Sequence, residues 1–183
     1  MSKARDIGLL ALRLGVGGMT AAHGAQKLFG WFGGGGLKGT GGFFESMGFE
    51  PGDRSALASG LCEAGGGTLL ALGLATGPAG AALTGNMIVA SSVHAPKIFN
   101  TDGGLELPAT FALVGTTLAL TGPGRYSLDA VTGGLLSRPW MTAIALVSAV
   151  GSAAFLISQR AKVLAARPAP PAAPESVENP VDV

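Results

Sequence analysis

Charged residues are scarce in this chain. Only 13% of its 183 residues are Asp, Glu, Lys or Arg, whereas an ordinary soluble domain carries about 25%. The mean hydropathy is +0.46, and the few charges leave long apolar segments between short polar ones. This pattern predicts an all-α fold, a polytopic transmembrane helix bundle, rather than a soluble helical domain with glycine-rich loops.

Cysteine is almost absent, and the net charge is close to zero. The single cysteine, Cys62, excludes an intramolecular disulfide and a CxxC redox motif, so redox chemistry would need a cofactor or a partner protein. With a formal net charge of +1, the chain lacks the strongly basic character that is typical of nucleic-acid-binding proteins. The two histidines lie on different segments without a metal-ligand spacing, so no metal is expected.

Five apolar segments are candidate membrane spans, and we place them at 7–29, 55–76, 79–96, 107–121 and 140–158. The loop 30–54 carries aromatic residues at helical spacing, which predicts a short interfacial helix, either a lid over the bundle or a plain anchor. The Pro- and Ala-rich residues 161–183 are predicted to form a disordered tail.

The first span carries ionisable side chains along one stripe. On a helix with about 100° per residue, Thr20 lies about 20° from Arg13, Lys27 about 40° and His23 about 80°. Such a stripe is costly in lipid, so it should face protein or a water-filled cavity. The charged residues also argue against a cleaved signal peptide.

Glu63 is the one charged residue within the second span. At about 1.5 Å per residue, Arg13 and Glu63 are about 9 Å apart along the membrane normal, within reach of two long side chains. We therefore predict an Arg13–Glu63 ion pair, because each charge alone would be costly in hydrocarbon. The alternative is a protonated Glu63 that is satisfied by backbone carbonyls or Ser59.

The third span carries a second polar stripe, with His94 and Lys97 about 80° and 20° from Asn86. His94 and His23 are predicted to reach the same end of the bundle. The candidate site residues are therefore Arg13, His23, Lys27, Glu63, Asn86, His94, Lys97 and Glu106. Such a cluster could bind a quinone head group or relay protons, or it could fix the helix register without a ligand.

Several short motifs together resemble the DoxX family of small bacterial membrane proteins. They are RLG at Arg13, HG at His23, KLFG at Lys27, EAGGG at Glu63 and, most specifically, LTGPGRYSLD ending at Asp129. The resemblance covers about residues 5–130 and implies a four-helix membrane domain over 1–130, to which 131–160 add a fifth C-terminal helix. The residues that fit the family's polar pattern are Arg13, His23, Lys27, Glu63, His94, Glu106 and Asp129.

The resemblance also implies a role, since DoxX-like proteins are linked to quinone- and thiol-dependent redox chemistry and to oxidative stress. We expect a multi-pass protein of the bacterial plasma membrane that serves as a subunit of such a redox complex. Its candidate cofactor is a quinone, which His23 and His94 would bind through the carbonyl oxygens, and its partners are the lipid bilayer and redox-complex proteins. The alternatives are a non-catalytic scaffold or assembly factor, and a small-molecule carrier. No residue pattern assigns a catalytic group or an oligomeric state.

Overall fold

Residues 2–168 are described by a computed structural model of the chain. Their α-helices are α1 Lys3–Phe29, α2 Gly36–Ser46, α3 Gly52–Leu72, α4 Thr76–His94, α5 Glu106–Thr121, α6 Leu128–Val131 and α7 Pro139–Ala166. Short 3-10 turns follow α1 and α4. Strands are absent from this part of the chain, which confirms the all-α class.

Glycines allow α1 and α3 to pack with their backbones in contact. A Cβ added to Gly17 would lie 2.7 Å from the carbonyl oxygen of Gly67, and one added to Gly67 would lie 2.6 Å from that of Gly17. About two turns further along α1, a Cβ on Gly24 would overlap the backbone of Ala64. These contacts fix the register of the two antiparallel helices, because no larger residue fits there.

Helix α4 lies between α5 and α7. A Cβ added to Gly80 would lie 2.5 Å from the carbonyl oxygen of Gly115 on α5, and one added to Gly85 would lie 2.9 Å from the Cβ of Ala149 on α7. The buried apolar core joins α3, α4 and α5 and consists of Leu70, Ala79, Leu83, Met87, Phe111 and Leu118. The core therefore occupies one side of α4 and contains no residue of α7.

Large apolar side chains lie on the outer surface, whereas several polar side chains are buried. The exposed apolar residues include Leu14, Met19, Leu61, Leu113, Leu120, Val147 and Phe155. Among residues 2–168, α7 alone is long and apolar enough to cross a bilayer, and α5 is apolar but has 16 residues. Helices α1, α3 and α4 are long enough, at 27, 21 and 19 residues, but their glycines and polar residues lower the hydropathy. One candidate span is thus established, and the five-span bundle stays a prediction.

The GPGRYSLD motif, residues 122–129, closes one end of the bundle around Asp129. The carboxylate of Asp129 accepts hydrogen bonds from the backbone N–H groups of Ala75 and Thr76, both at 2.9 Å, and from the hydroxyl of Ser137 at 2.6 Å. Burial raises the pKa of Asp129, but these hydrogen bonds outweigh it and hold the pKa below its usual value. The motif therefore ties the α3–α4 turn to the segment before α7.

Arg13 reaches this closure, so the predicted Arg13–Glu63 ion pair is wrong. The buried guanidinium of Arg13 donates a hydrogen bond to the carbonyl oxygen of Tyr126, and the Asp129 carboxylate supplies the nearby negative charge. The depth estimate treated each helix as centred independently in the bilayer. The glycine contacts instead set the register, and they bring Lys27 rather than Arg13 to Glu63.

Several helix boundaries differ from the sequence-based expectation, since α3 ends at Leu72 and α4 already begins at Thr76. Helix α7 continues through 161–166 to Ala166, because these Ala-, Lys-, Val- and Leu-containing residues extend the helical pattern. The rest of the predicted tail, from residue 169 onward, lies outside the described residues. Within the loop 30–54, the expected short helix is α2, and α3 already begins at Gly52.

Candidate ligand site

A buried ion pair connects α1 to α3. The Nζ of Lys27 donates to Glu63 Oε1 at 2.5 Å and to the hydroxyl of Ser59 at 3.0 Å. The Nδ2 of Asn86 on α4 donates to the same Oε1 at 2.9 Å. The side chain of Glu63 is 3% exposed and that of Lys27 is 24% exposed, so the carboxylate lies inside the protein while the ammonium lies at its edge.

The second oxygen of Glu63, Oε2, is buried and has no hydrogen-bond partner within residues 2–168. Both hydrogen bonds to this carboxylate, from Lys27 and from Asn86, are therefore accepted by the same oxygen, Oε1. A buried charge that loses such partners is strongly destabilised. Glu63 consequently holds the Lys27 ammonium and the Asn86 amide in fixed positions.

Lys27, Ser59 and Asn86 form part of the wall of a cavity of about 630 Å³. This volume lies within the range of small-molecule sites, about 300–1,000 Å³. Helices α2, α3, α4 and α7 form its walls, and Lys27 is its contribution from α1. Most of the lining residues are apolar or small. The lining includes Lys27, Phe43, Phe44, Met47, Phe49, Cys62, Asn86, Ala90, His94, Ala149, Ser152, Ala153 and Leu156.

Helix α2 covers one end of this cavity with aromatic side chains. The Lys27 ammonium lies 5.7 Å from the centroid of the Phe44 ring, which in turn lies 5.9 Å from that of Phe49. Lys27, Phe43 and Phe44 also line a shallower, more open cleft on the other side of α2. The short helix expected in this loop therefore lies over the bundle as a cover, and these three residues separate the cavity from the outer cleft.

Four of the eight candidate site residues belong to this site. Lys27, Asn86 and His94 line the cavity, and Glu63 lies directly behind Lys27 and Asn86. His94 is exposed at the end of α4, where its Nδ1 lies 2.8 Å from the carbonyl oxygen of Gly103. The polar stripe of α1 thus faces protein at Lys27, as the periodicity predicts.

The other four candidates lie elsewhere. Arg13 belongs to the Asp129 closure described above, and Lys97 is exposed after α4. Glu106 is exposed and accepts a hydrogen bond from the backbone N–H of Asn100 at 3.1 Å. His23 is also exposed, with its Nδ1 3.0 Å from the side-chain oxygen of Gln26. The two imidazoles therefore have separate partners, and His94 is the one that lines the cavity.

Sequence reasoning missed the contribution of α7 to this site. Ala149, Ser152, Ala153 and Leu156 recur at spacings of three and four residues, which places them on one face of a helix. The small residues in this row, Ala149, Ser152 and Ala153, were the signal in the sequence that this face of α7 contacts protein. Small residues are typical of helix–helix contacts in membranes. The Phe43, Phe44 and Met47 spacing was recognised, but the cavity beneath it was not.

Fold and site define an all-helical protein with a candidate membrane span and an apolar cavity beside a buried ion pair. Residues 8–95, which cover most of α1 and all of α2, α3 and α4, match the DoxX family model, so this part of the chain is a DoxX domain. The DoxX match and the candidate span α7 together support a membrane protein. The match includes Lys27, Glu63 and Asn86 but ends before the GPGRYSLD motif and α7. No curated protein and no solved structure matches the chain.

Proposed function

We propose that this protein is a multi-pass subunit of a quinone- or thiol-linked redox complex in the bacterial plasma membrane, and that its cavity holds the quinone. The observation that carries the proposal is the position of Lys27 and Asn86 on the wall of an otherwise largely apolar cavity. A quinone combines carbonyl acceptors with an apolar ring and tail. An apolar cavity with a few fixed donors suits that combination.

The Lys27 ammonium has donor capacity left for such a carbonyl. An ammonium has three N–H groups, and the contacts with Glu63 and Ser59 use two of them. Glu63 holds the ammonium in place, and Asn86 holds Glu63 from the opposite side. Such a preorganised donor costs little to order when a ligand arrives. The chain would then bind and orient the quinone, while electrons come from a partner protein.

The surface chemistry supports a multi-pass arrangement. Buried Arg13, Thr20 and Glu63 face the interior, whereas Leu14 and Leu61 on the same helices are about half exposed. Burying such an apolar outer face in lipid leaves the ionisable groups inside the bundle, where lipid does not reach them. Small residues at the α1–α3 contact are typical of helix packing within membranes.

The test is to purify the protein from bacterial membranes in mild detergent and to quantify extracted quinone per chain. We expect the wild type to retain quinone and Asn86→Leu to retain at least fivefold less, because the donor network around Glu63 is broken. Asn100→Leu, which changes an exposed asparagine, should retain the wild-type amount. Absence of quinone from the wild type would refute the proposed ligand, and equal retention in Asn86→Leu would refute the site.

A small-molecule carrier is the second candidate function, and the outer cleft favours it. Lys27 and Phe44 line both the cleft and the cavity, so a carrier would have to move these two side chains to connect the two spaces. Uptake by proteoliposomes without a redox partner would support the carrier. No observation favours a pure scaffold. The loop 30–54, through which a scaffold would recruit a partner, packs instead as a wall of the cavity.

A further inference from the structure

Helix α7 lies outside the matched family region, yet it completes the cavity. The family match ends at residue 95, whereas Ala149, Ser152 and Leu156 of α7 line the cavity together with residues of α3 and α4. Without α7, the cavity would be a groove open to the surroundings of the bundle. The closure of the cavity on this side is therefore a property of this chain beyond the matched domain.

The N-terminal half of α7 is packed tightly against α4. A Cβ on Gly77 would overlap the hydroxyl of Thr142, and the one on Gly85 would press on Ala149. Among the described helices, α4 is the one that α7 contacts extensively. This half of α7 is therefore the fixed part of the helix.

The C-terminal half of α7 is held by two arginines at the α2–α3 corner, residues 45–50. Arg160 Nε donates to the carbonyl oxygen of Met47 at 2.9 Å, and its guanidinium lies 5.7 Å from the Phe49 ring centroid. Arg167 donates to the carbonyl oxygens of Ser46, at 2.7 Å, and Glu45. Arg167 also pairs with the Glu50 carboxylate, and a Cβ on Gly48 would press on Leu164.

Between these two attachments α7 passes over the cavity. Ala153 is buried there, while Phe155 on its other face is 59% exposed. A segment that is packed at one end and pinned by a few polar contacts at the other opens most easily at the pinned end, because low local contact density marks the less stable regions.

We propose that α7 is a lateral gate: its C-terminal half parts from the α2–α3 corner when the Arg160 and Arg167 contacts break, and the cavity then opens to the acyl chains of the bilayer. The inference rests on the proposed membrane-embedded cavity, and it assigns the ligand to a class, amphiphiles with a long apolar tail that load from the lipid phase. The arginine contacts decide how often the cavity is open.

The route through the outer cleft is more firmly closed. The Phe44 ring is fixed between Lys27 and Phe49, and α2 meets α3 through backbone contact, since a Cβ on Gly52 would overlap the carbonyl oxygen of Gly41. Opening there would separate two packed backbones. Opening at α7 breaks side-chain contacts alone.

Cys62 reports on the gate, because it is the one cysteine of the sequence and it lines the cavity. The protein is reconstituted in phospholipid vesicles, and its labelling rate is measured with an apolar maleimide and with a charged, membrane-impermeant maleimide. The variants are Arg160→Gln, Arg167→Gln and Leu164→Ala, and the matched control is Arg138→Gln at the opposite end of α7. Arg160→Lys tests rescue, since it keeps a cationic donor.

We expect Arg160→Gln to raise the rate with the apolar reagent about tenfold, which is the effect of one charge-assisted hydrogen bond on a two-state equilibrium. Arg167→Gln should act in the same direction, and Leu164→Ala should give a smaller rise without a change of charge. Arg138→Gln and Arg160→Lys should stay near the wild-type rate, and the charged reagent should not accelerate in any variant.

Equal rates in wild type, Arg160→Gln and Leu164→Ala would overturn the gate, and so would an equal acceleration with the charged reagent, which would place the opening on the aqueous side. The thermal midpoint of each variant is measured alongside, so that general unfolding is recognised by acceleration in both reagents and a lowered midpoint. The readout needs no bound quinone. A wild type that carries none would therefore refute the proposed ligand while leaving the gate to be decided by the labelling rates.

Discussion

Replacing Lys27 by Met tests the ion pair at the centre of the site. Met preserves the length of the side chain and removes the charge, so Glu63 Oε1 keeps only the Asn86 amide as a partner. Glu63 Oε2 already lacks a partner within residues 2–168. The carboxylate would then be a buried charge without a cationic partner, held by the Asn86 amide alone.

The expected cost is about 3 kcal/mol. Removal of one member of a buried pair costs roughly 3–5 kcal/mol, because the other charge stays buried. Lys27 is 24% exposed, whereas Glu63 is 3% exposed, and solvent near the ammonium places the effect at the lower end of that range. The double variant Lys27→Met/Glu63→Gln removes both charges, so it should be more stable than Lys27→Met alone by about 2 kcal/mol.

The assay is reversible unfolding in mixed micelles by titration with a denaturing detergent, completed as a double-mutant cycle. Lys38→Met, which removes an exposed lysine of α2, is the control and should stay within about 0.5 kcal/mol of the wild type. Additive effects of Lys27→Met and Glu63→Gln would show that the two residues do not interact, and this result would refute the reasoning.

Two further predictions concern the bundle outside the cavity. Asp129→Asn should lower stability by about 2–3 kcal/mol at neutral pH, because it weakens the hydrogen bonds from Ala75, Thr76 and Ser137. Since the pKa of Asp129 is lowered in the folded state, the wild type should lose this contribution as the pH falls below about 4 and through the folded pKa. An unchanged wild-type/variant difference between pH 7 and pH 3, measured by unfolding titrations, would contradict this. Gly24→Val should prevent close packing of α1 on α3, whereas Gly18→Val, at a position with nothing within 4 Å, should fold normally. Comparable yields of folded protein from the two valine variants would count against the proposed register.

The helical periodicity of the sequence is enough to predict which side of α1 faces protein. Thr20 is buried and Lys27 lines the cavity, as the stripe predicts, whereas Met19 is exposed. His23 lies about 80° from Arg13, at the edge of the stripe, and it is exposed. Periodicity thus identifies a face but not how far that face extends.

The partner of each buried charge could not be predicted in the same way. It depends on the register between helices, which here follows from backbone contacts at Gly17, Gly24 and Gly67. A shift of about four turns along α1 decides whether Arg13 or Lys27 meets Glu63. The glycines were visible in the sequence, but their pairing across α1 and α3 is a tertiary property.

The cavity itself was beyond sequence reasoning for a similar reason. Its walls come from segments as distant as Lys27 and Leu156, and its enclosure depends on where α7 lies relative to α4. The aromatic spacing of α2 predicts a helix, and the structure adds what this helix covers. Asp129 likewise stood out in a specific motif, but its role in tying the α3–α4 turn required the three-dimensional structure.

The most direct test of the cavity as a ligand site is native mass spectrometry of the protein released from lipid nanodiscs. The wild type is compared with two variants in which an alanine is replaced by phenylalanine. Ala90→Phe fills the cavity, because Ala90 lines it, whereas Ala154→Phe places the same side chain on the exposed face of α7. We expect one bound apolar molecule per chain in the wild type and in Ala154→Phe, and none in Ala90→Phe. A wild-type chain that carries no ligand, or an Ala90→Phe chain that carries as much as Ala154→Phe, would contradict it.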